Sequence, residues 1–350
     1  MTIRRLSTRL LLGPAEMPPS RDDFEVVGAF NPGAVRMGDE VVLLVRVAEK
    51  TRERRPGYTG LPRWELAGGL TIDWVRDAEL EVIDPRVVRR KADGLVRLTF
   101  TSHLRVVRCG DGTAVREVTG VAFFPQGELE EFGVEDPRIT RLNGRFYFTY
   151  VAVSRHGPAT ALASTDDFCK FQRHGVIFCS ENKDVVLFPE TIGGDYVALH
   201  RPVCGTPLTR PEMWVARSPD LIHWGRHEPL LVGEAAWQSG RVGAGCPPIR
   251  VDGGWLQVYH GNRAPTQPGA VGTYYGGVLV LDAADPARVL RQRPEPFFSP
   301  EADFEVAGFV PNVVFPTGLV ENGDALRIYY GAADSVTALA EFSLRELLES

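Results

Sequence analysis

The stretch Leu142-Asn-Gly-Arg-Phe-Tyr-Phe-Thr-Tyr-Val-Ala-Val-Ser154 is a glycine-containing turn that feeds a run of aromatic and β-branched residues, with polar residues behind it. A turn followed by such a run is how a hairpin delivers a strand. The pattern recurs in Met37-Gly-Asp-Glu-Val-Val-Leu-Leu-Val-Arg-Val-Ala-Glu49, Gly193-Gly-Asp-Tyr-Val-Ala-Leu-His-Arg-Pro202, Asp252-Gly-Gly-Trp-Leu-Gln-Val-Tyr-His-Gly261 and Asn322-Gly-Asp-Ala-Leu-Arg-Ile-Tyr-Tyr-Gly-Ala-Ala-Asp334. Successive copies lie about 50 to 70 residues apart, except for a first interval near 105, and a four-stranded blade needs a few tens of residues. Five copies predict an all-β chain folded as a five-bladed β-propeller.

Working outward, Ser164-Thr-Asp-Asp-Phe168 and Ser218-Pro-Asp-Leu-Ile-His-Trp224 follow the second and third copies and read as turns closed by an aromatic plug. Helical periodicity is confined to Ser343-Leu-Arg-Glu-Leu-Leu-Glu349, too short to define a helical domain. The long first interval, roughly residues 50–120, contains Trp64, Trp74, a basic stretch from Arg86 to Lys91 and a strand-like run from Leu95 to Arg108. It is expected to elaborate the first blade, so that residues 1–350 make a single domain.

Of the 350 residues, 44% are hydrophobic, and 36 glycines and 26 prolines supply many turns, which suits a large β core. The formal charge of −6 argues against nucleic acid as a partner. Leu10, Leu11 and Leu12 stop at Gly13-Pro14, short of a signal-peptide core, and no apolar run approaches the roughly 20 residues of a membrane helix. The expectation is a cytoplasmic protein with no membrane partner. The five cysteines (Cys109, Cys169, Cys179, Cys204, Cys246) are odd in number, with no CxxC pair and no histidine at metal-ligand spacing. They are read as buried thiols, with no metal site.

If the repeated strands were innermost in their blades, polar residues at their ends would converge on one channel. Arg46 closes the first copy, Tyr150 and Arg155 follow in the second, His200-Arg201 end the third, His260 the fourth and Asp334 the last. Each alone reads equally as a solvated turn residue. Gly133-Val-Glu-Asp-Pro-Arg138 places Asp136 before a proline, which favours extended backbone; Asp136 and Arg138 also suit an ordinary paired turn. Asn182-Lys-Asp-Val-Val-Leu-Phe-Pro-Glu190 sets Lys183 and Asp184 ahead of an apolar run. Ser239-Gly-Arg-Val-Gly-Ala-Gly-Cys-Pro-Pro248 carries Arg241 among glycines but lacks the phosphate-loop pattern. Those glycines are expected to permit close backbone approach.

These segments, with Phe30-Asn-Pro-Gly-Ala34 and Val310-Pro-Asn-Val-Val-Phe-Pro316, resemble glycoside hydrolase family 130. That family comprises five-bladed propellers that are mostly inverting β-mannoside phosphorylases. The resemblance implies Asp136 as the general acid, a phosphate pocket of Lys183, Asp184, Arg201, Arg241 and His260, and mannosyl contacts from Asn31, Arg46, Arg138 and Asp334. It implies no cofactor: inorganic phosphate is the co-substrate and a short β-mannoside oligosaccharide the donor, with β-1,2 linkage narrowly preferred over β-1,4. Products would be α-mannose 1-phosphate and a shortened acceptor.

An inverting hydrolase needs a second carboxylate to activate water. Phosphate is already anionic and instead needs cations to hold it. Asp184 would set a negative charge beside that phosphate unless it turned away or paired with Lys183. The rival readings are a β-mannosidase that uses water, with Glu190 as base, and a non-catalytic sugar-binding or scaffold propeller. His174, His223 and His227 read as turn or surface residues, Trp64 and Trp74 as core or sugar platforms. Some relatives form homo-oligomers, and an exposed insertion would offer an interface.

Overall fold

Each glycine turn of the repeat is the hinge of a hairpin, so the run behind it is that hairpin's second strand. The turn glycines need no extra space but do need left-handed backbone, with φ of +61° at Gly38 and +85° at Gly144. The computed structural model describes residues 3–66, 69–203 and 208–349; Cys204 lies outside them.

After the short β1 (Ser7–Leu12), the first repeat forms β2 (Phe24–Met37) and β3 (Glu40–Thr51). The chain then leaves this sheet for β4 (Tyr58–Trp64) and β5 (Leu70–Arg76), which pair with each other, and for β6 (Leu80–Asp84), β7 (Val87–Arg90) and β8 (Val96–Leu98), a three-stranded sheet. It returns as β9 (Thr101–Cys109) and β10 (Val115–Phe123), giving the order β10-β9-β3-β2. The long interval is thus an insertion between the second and third strands of one sheet.

The next two sheets run in simple order: β11 (Gly133–Leu142), β12 (Arg145–Ser154), β13 (Gly157–Thr165) and β14 (Gln172–Phe178), then β15 (Asn182–Leu187), β16 (Tyr196–Pro202), β17 (Glu212–Ser218) and β18 (Gly225–Val232). In the fourth, β19 (Arg241–Ala244) and β20 (Ile249–Val251) both pair with β21 (Gly254–Arg263), followed by β22 (Thr273–Asp282) and β23 (Val289–Gln292). The last sheet is β24 (Val314–Asn322), β25 (Ala325–Ala332) and β26 (Val336–Ser343), with β1 as its outer strand. The first strand of the chain therefore pairs with the last, Ser7 lying opposite Glu341.

The repeated strands β3, β12, β16, β21 and β25 are second in their sheets, which corrects the expectation that they are innermost. The edge strands beside them also meet from sheet to sheet: β2 meets β24 and β11, β11 meets β15, and β15 meets β19. A turn-plus-strand signal reports the strand after the turn, and the edge strand before it carries no repeat of its own.

Apolar side chains alternate along these strands and bury the space between sheets. Leu104, Phe123, Phe148 and Tyr150 fill the gap between the first and second sheets, and Leu162, Val185, Leu187 and Ala216 that between the second and third. Val215, Trp237, Trp255 and Leu279 join the third to the fourth, and Leu256, Phe298, Ile328 and Phe342 the fourth to the last. Leu43 and Val45 of the first sheet cluster with Tyr329 and Leu339 of the last. Full burial of each such side chain contributes about 1.5–3 kcal/mol. Among the described residues, no helix is long and apolar enough to cross a membrane.

The thiols are only partly as expected. Cys109 and Cys246 are buried, whereas Cys169 and Cys179 are exposed, flanking β14 where the chain turns.

Candidate active site

Three edge strands break their pairing at matching positions. Register shifts between Phe30 and Gly33, between Glu135 and Arg138, and between Lys183 and Val186 leave two residues opposite one on the partner strand. The first residue of each bulge is Asn31, Asp136 or Asp184, with φ of +50°, +49° and +56°. A bulge bends its strand and re-aims a side chain. The left-handed backbone also explains the residue types, because Asn and Asp tolerate it best among residues bearing a Cβ. Asp136 is therefore not extended, as its proline neighbour suggested: the bulge overrides the local preference. Asp334, just beyond β25, shares this backbone with φ of +49°.

The bulges open onto a cavity of about 320 Å³. Its walls include Asn31, Arg46, Asp136, Lys183, Asp184, Arg201, Arg241, His260 and Asp334, so nine of the ten residues expected from the sequence meet there. The exception is Arg138, which lies under the floor and is 1% exposed. Its Nη2 donates to Asp184 Oδ1 (3.1 Å), Nη1 to the Asp136 carbonyl (2.8 Å) and Nε to the Gly245 carbonyl (3.3 Å). Its hydrogen bonds are taken by interior acceptors, which corrects its expected contact with a sugar.

Asp136 Oδ1 accepts from Arg46 Nη1 (2.9 Å) and Asn31 Nδ2 (2.8 Å). Burial acts to raise its pKa, but Arg46, Arg138, Asn31 and Lys183 together hold it below the usual carboxylate range. Arg46 donates also to Glu135 Oε1 (2.6 Å) and Ser102 Oγ (3.1 Å). Asn31 Oδ1 is buried with no hydrogen-bond partner among the described residues, an acceptor available to a ligand hydroxyl.

Across the cavity, Arg201 Nε donates to Asp184 Oδ2 (2.7 Å). The second Asp184 oxygen goes to Arg138, so Asp184 pairs with two arginines rather than with Lys183. Burial opposes its ionisation, yet Arg201, His260 and Arg138 hold its pKa low. Lys183 Nζ instead lies 3.7 Å from Glu135 Oε2. His260 Nε2 is 3.5 Å from Asp184 Oδ2, and neither ring nitrogen has a hydrogen bond among the described residues. Burial, reinforced by the nearby arginines against Asp184, pushes His260 down to about 3, so the ring is neutral at physiological pH. Arg241 is the exposed member, donating to the Tyr274 hydroxyl.

This crowding depends on Gly243, as the glycine-rich segment suggested. A Cβ there would stand 2.7 Å from His260 Cε1, 2.9 Å from Asp184 Oδ2 and 3.0 Å from Arg201 Cδ.

Several expectations fail here. Tyr150 is buried and donates to Glu130 Oε1 (2.6 Å), while Arg155 pairs with Glu131 (2.8 Å), both away from the cavity. His200 points to Asn182 and His227 instead of the cavity, and Glu190 is exposed and outside its walls. Trp64 and Trp74 do not line it either. Trp64 is core, its indole N–H donating to Thr101 (2.9 Å), and Trp74 stacks under Arg55 (4.1 Å).

Among the cavity residues that the sequence reading did not place there are Glu135 and Arg86. Glu135 buttresses Arg46 and Lys183; its only signal was adjacency to Asp136. Arg86 comes from the insertion, clamped by Asp84, and its Nη1 reaches Asp334 Oδ2 (3.4 Å). Burial raises the pKa of Asp334, and Arg86 with Arg46 opposes that rise. The basic stretch from Arg86 was visible, but nothing in the sequence tied it to a site 248 residues away.

A family model described as β-1,4-mannooligosaccharide phosphorylase, glycoside hydrolase family 130, matches residues 99–350. The chain is also 38% identical to the β-1,2-mannobiose phosphorylase of Listeria innocua, over 99% of this chain and 98% of that protein. The chain belongs to glycoside hydrolase family 130. Within family 130, a solved structure of β-1,2-mannobiose phosphorylase from Listeria innocua with β-1,2-mannobiose matches this fold with a TM-score of 0.90, at 38% identity, covering 97% of this chain and 96% of that one. A 1,2-β-oligomannan phosphorylase of Thermoanaerobacter is 36% identical over 71% of this chain and 81% of its own length. A β-1,4-mannooligosaccharide phosphorylase of Ruminococcus albus is 32% identical over 63% and 66%.

Proposed function

We propose that this family 130 chain is an inverting β-mannoside phosphorylase. The observation that carries the reading is one cavity with a hydrogen-bonded carboxyl, Asp136, on one wall and the basic set Lys183, Arg201, Arg241 and His260 on another. Phosphate is the co-substrate, held by charge-assisted bonds from the guanidinium and ammonium groups and by the neutral His260 N–H. Asp184 keeps Arg201 aimed and is itself neutralised by two arginines, which makes it compatible with a bound anion. Asn31, Arg46 and Asp334 hold the mannosyl unit.

Facing these cations alone, Asp136 is ionised. A phosphate anion neutralises the facing cations and adds negative charge, which raises the Asp136 pKa and lets it carry the proton. That proton passes to the glycosidic oxygen, directly or through a mannosyl hydroxyl, as the C1–O bond breaks. A phosphate oxygen forms the new bond to C1 from the opposite face, giving α-mannose 1-phosphate and the shortened acceptor. Hydrolysis has weaker support, because Glu190, its expected base, is outside the cavity, whereas the basic set offers an anion charge-assisted bonds.

The β-1,2 linkage is favoured by the names of the Listeria and Thermoanaerobacter relatives. We read the five large sheets as the blades of a single propeller, supported by an apolar cluster between each successive pair and between last and first. The test is Arg201→Ala. It is expected to raise the KM for phosphate by about ten- to a hundredfold, the worth of one charged hydrogen bond, with the mannoside KM changed far less. An unchanged phosphate dependence would place the anion elsewhere.

A further inference from the structure

Asn31, Asp136, Asp184 and Asp334 line the cavity and share left-handed backbone. The first three stand in bulged edge strands and are held by side chains of the large sheets: Asn31 and Arg46 donate to Asp136, and Arg138 and Arg201 to Asp184. Asp334 differs, because it lies in the turn between β25 and β26, where Ala333 before it is left-handed too, with φ of +47°. Alanine gains nothing from that conformation. Backbone bonds keep the turn in place, from the Val310 N–H to the Ala333 carbonyl (3.0 Å) and from the Ala333 N–H to the Val313 carbonyl (3.1 Å). Such strain gathers where a side chain has to be aimed. Among the described residues, the hydrogen bond that the Asp334 carboxyl accepts comes from outside the five large sheets, from Arg86 Nη1 (3.4 Å).

Arg86 is shaped for that reach. It stands with Pro85 in the turn between β6 and β7. Asp84 Oδ1 accepts from the Arg86 backbone N–H (2.7 Å) and from Nε (3.3 Å), and Oδ2 accepts from Nη2 (3.2 Å). This clamp fixes the guanidinium plane and points Nη1 at Asp334. The Arg86 carbonyl accepts from the Thr99 N–H (2.9 Å), just before β9, which ties the turn to the root of the first sheet.

We infer that Arg86 is a positioning residue: through Asp334 it orients the mannosyl unit, and it makes the insertion a working part of the catalytic cavity. The inference rests on the reading above in which Asp334 holds that unit. An ionised carboxyl only accepts hydrogen bonds, so both its oxygens serve sugar hydroxyls. Burial pushes Asp334 toward the protonated form, as do Asp136 and Glu135 of β11, whereas Arg86 and Arg46 of β3 oppose it; Tyr274 of β22 faces Arg86. Without Arg86 the carboxyl takes up its proton at higher pH and loses the bond that orients it.

The experiment follows phosphorolysis of β-1,2- or β-1,4-mannobiose, whichever the wild-type protein cleaves, as a function of pH and of each substrate, with melting curves to confirm folding. Arg86→Ala is expected to raise the mannoside KM about tenfold, the worth of a charged hydrogen bond, with the phosphate KM within about twofold. The acid limb of kcat/KM for the mannoside should move up by about one pH unit. Arg86→Lys returns the charge and should restore the limb, but not the KM, because an ammonium cannot keep the fork to Asp84. Asp84→Asn, outside the cavity walls, should raise the mannoside KM about threefold by loosening the clamp. An acid limb that stays in place in folded Arg86→Ala overturns the inference, as does a phosphate KM that rises in step with the mannoside KM. Asp334→Asn tests the reading beneath it: an unchanged mannoside KM there removes the sugar role of Asp334 itself, a result distinct from a failure at Arg86 alone.

Discussion

Hydrogen-bond donors and cations hold the buried Asp136 carboxyl ionised: Asn31 at 2.8 Å, Arg46 at 2.9 Å, and Arg138 and Lys183 nearby. An amide of the same shape keeps an oxygen for Asn31 and Arg46 but has no proton to deliver. Asp136→Asn is expected to lower kcat by about 10²–10⁴-fold, the usual worth of general acid catalysis, without altering the melting curve beyond a few degrees. Activity within a few fold of wild type in a folded variant would remove the acid role. The acid role of this residue is implied only by the family resemblance, because Glu135-Asp136-Pro137-Arg138 taken alone also suits an ordinary paired turn. What was hidden was the partner of each charge. Arg138 was read as a sugar contact and Asp184 as a phosphate-pocket residue that would turn away or pair with Lys183, yet the fold brings these two together at 3.1 Å. Neither sequence spacing nor composition encodes a pairing across 46 residues.

The element that builds the site is the bulge. Asn31, Asp136 and Asp184 stand first in three bulges at matching places in three sheets, each left-handed. The repeated turn was legible and located five hairpins, but it marked the second strand, and the bulged edge strands do not repeat in sequence. The one available clue was that the edge-strand site residues are Asn or Asp, the types that suit left-handed backbone as well as chemistry. On the opposite wall the geometry is held by the absence of a side chain. Gly243→Ala places a Cβ within 3.0 Å of the His260, Asp184 and Arg201 side chains. Such overpacking costs about 1–3 kcal/mol, and because it displaces Arg201 it is expected to raise the phosphate KM in the folded fraction. Steady-state kinetics and thermal melting separate these effects. A loss of stability with phosphate KM unchanged would show that Gly243 matters for packing alone.

At the scale of the molecule, composition and the five repeats were enough for the all-β class, because hydrophobic alternation and glycine turns are local signals. The insertion was legible as an extra length of chain but not as the source of Arg86 and of part of the cavity wall, since those contacts depend on how sheets far apart in sequence pack. Burial also gives the whole fold a pH response. His200 and His260 are each pushed down to about 3 by desolvation. The unfolded chain takes up protons at these sites below about pH 6.5, and the folded chain does so only near 3. Their contribution is fully present above pH 6.5 and is lost as the pH falls toward 3, so melting temperature should drop from pH 7 to pH 4, and drop less in His200→Gln. An unchanged slope would mean that His200 is not neutral in the fold. The central claim is that phosphate, not water, takes the mannosyl unit. The most direct measurement is product analysis with β-1,2-mannobiose, β-1,4-mannobiose and β-1,4-mannosyl-glucose, each with and without inorganic phosphate. The account predicts α-mannose 1-phosphate from the β-1,2-linked substrate only when phosphate is present; free mannose released at the same rate with or without phosphate would contradict it.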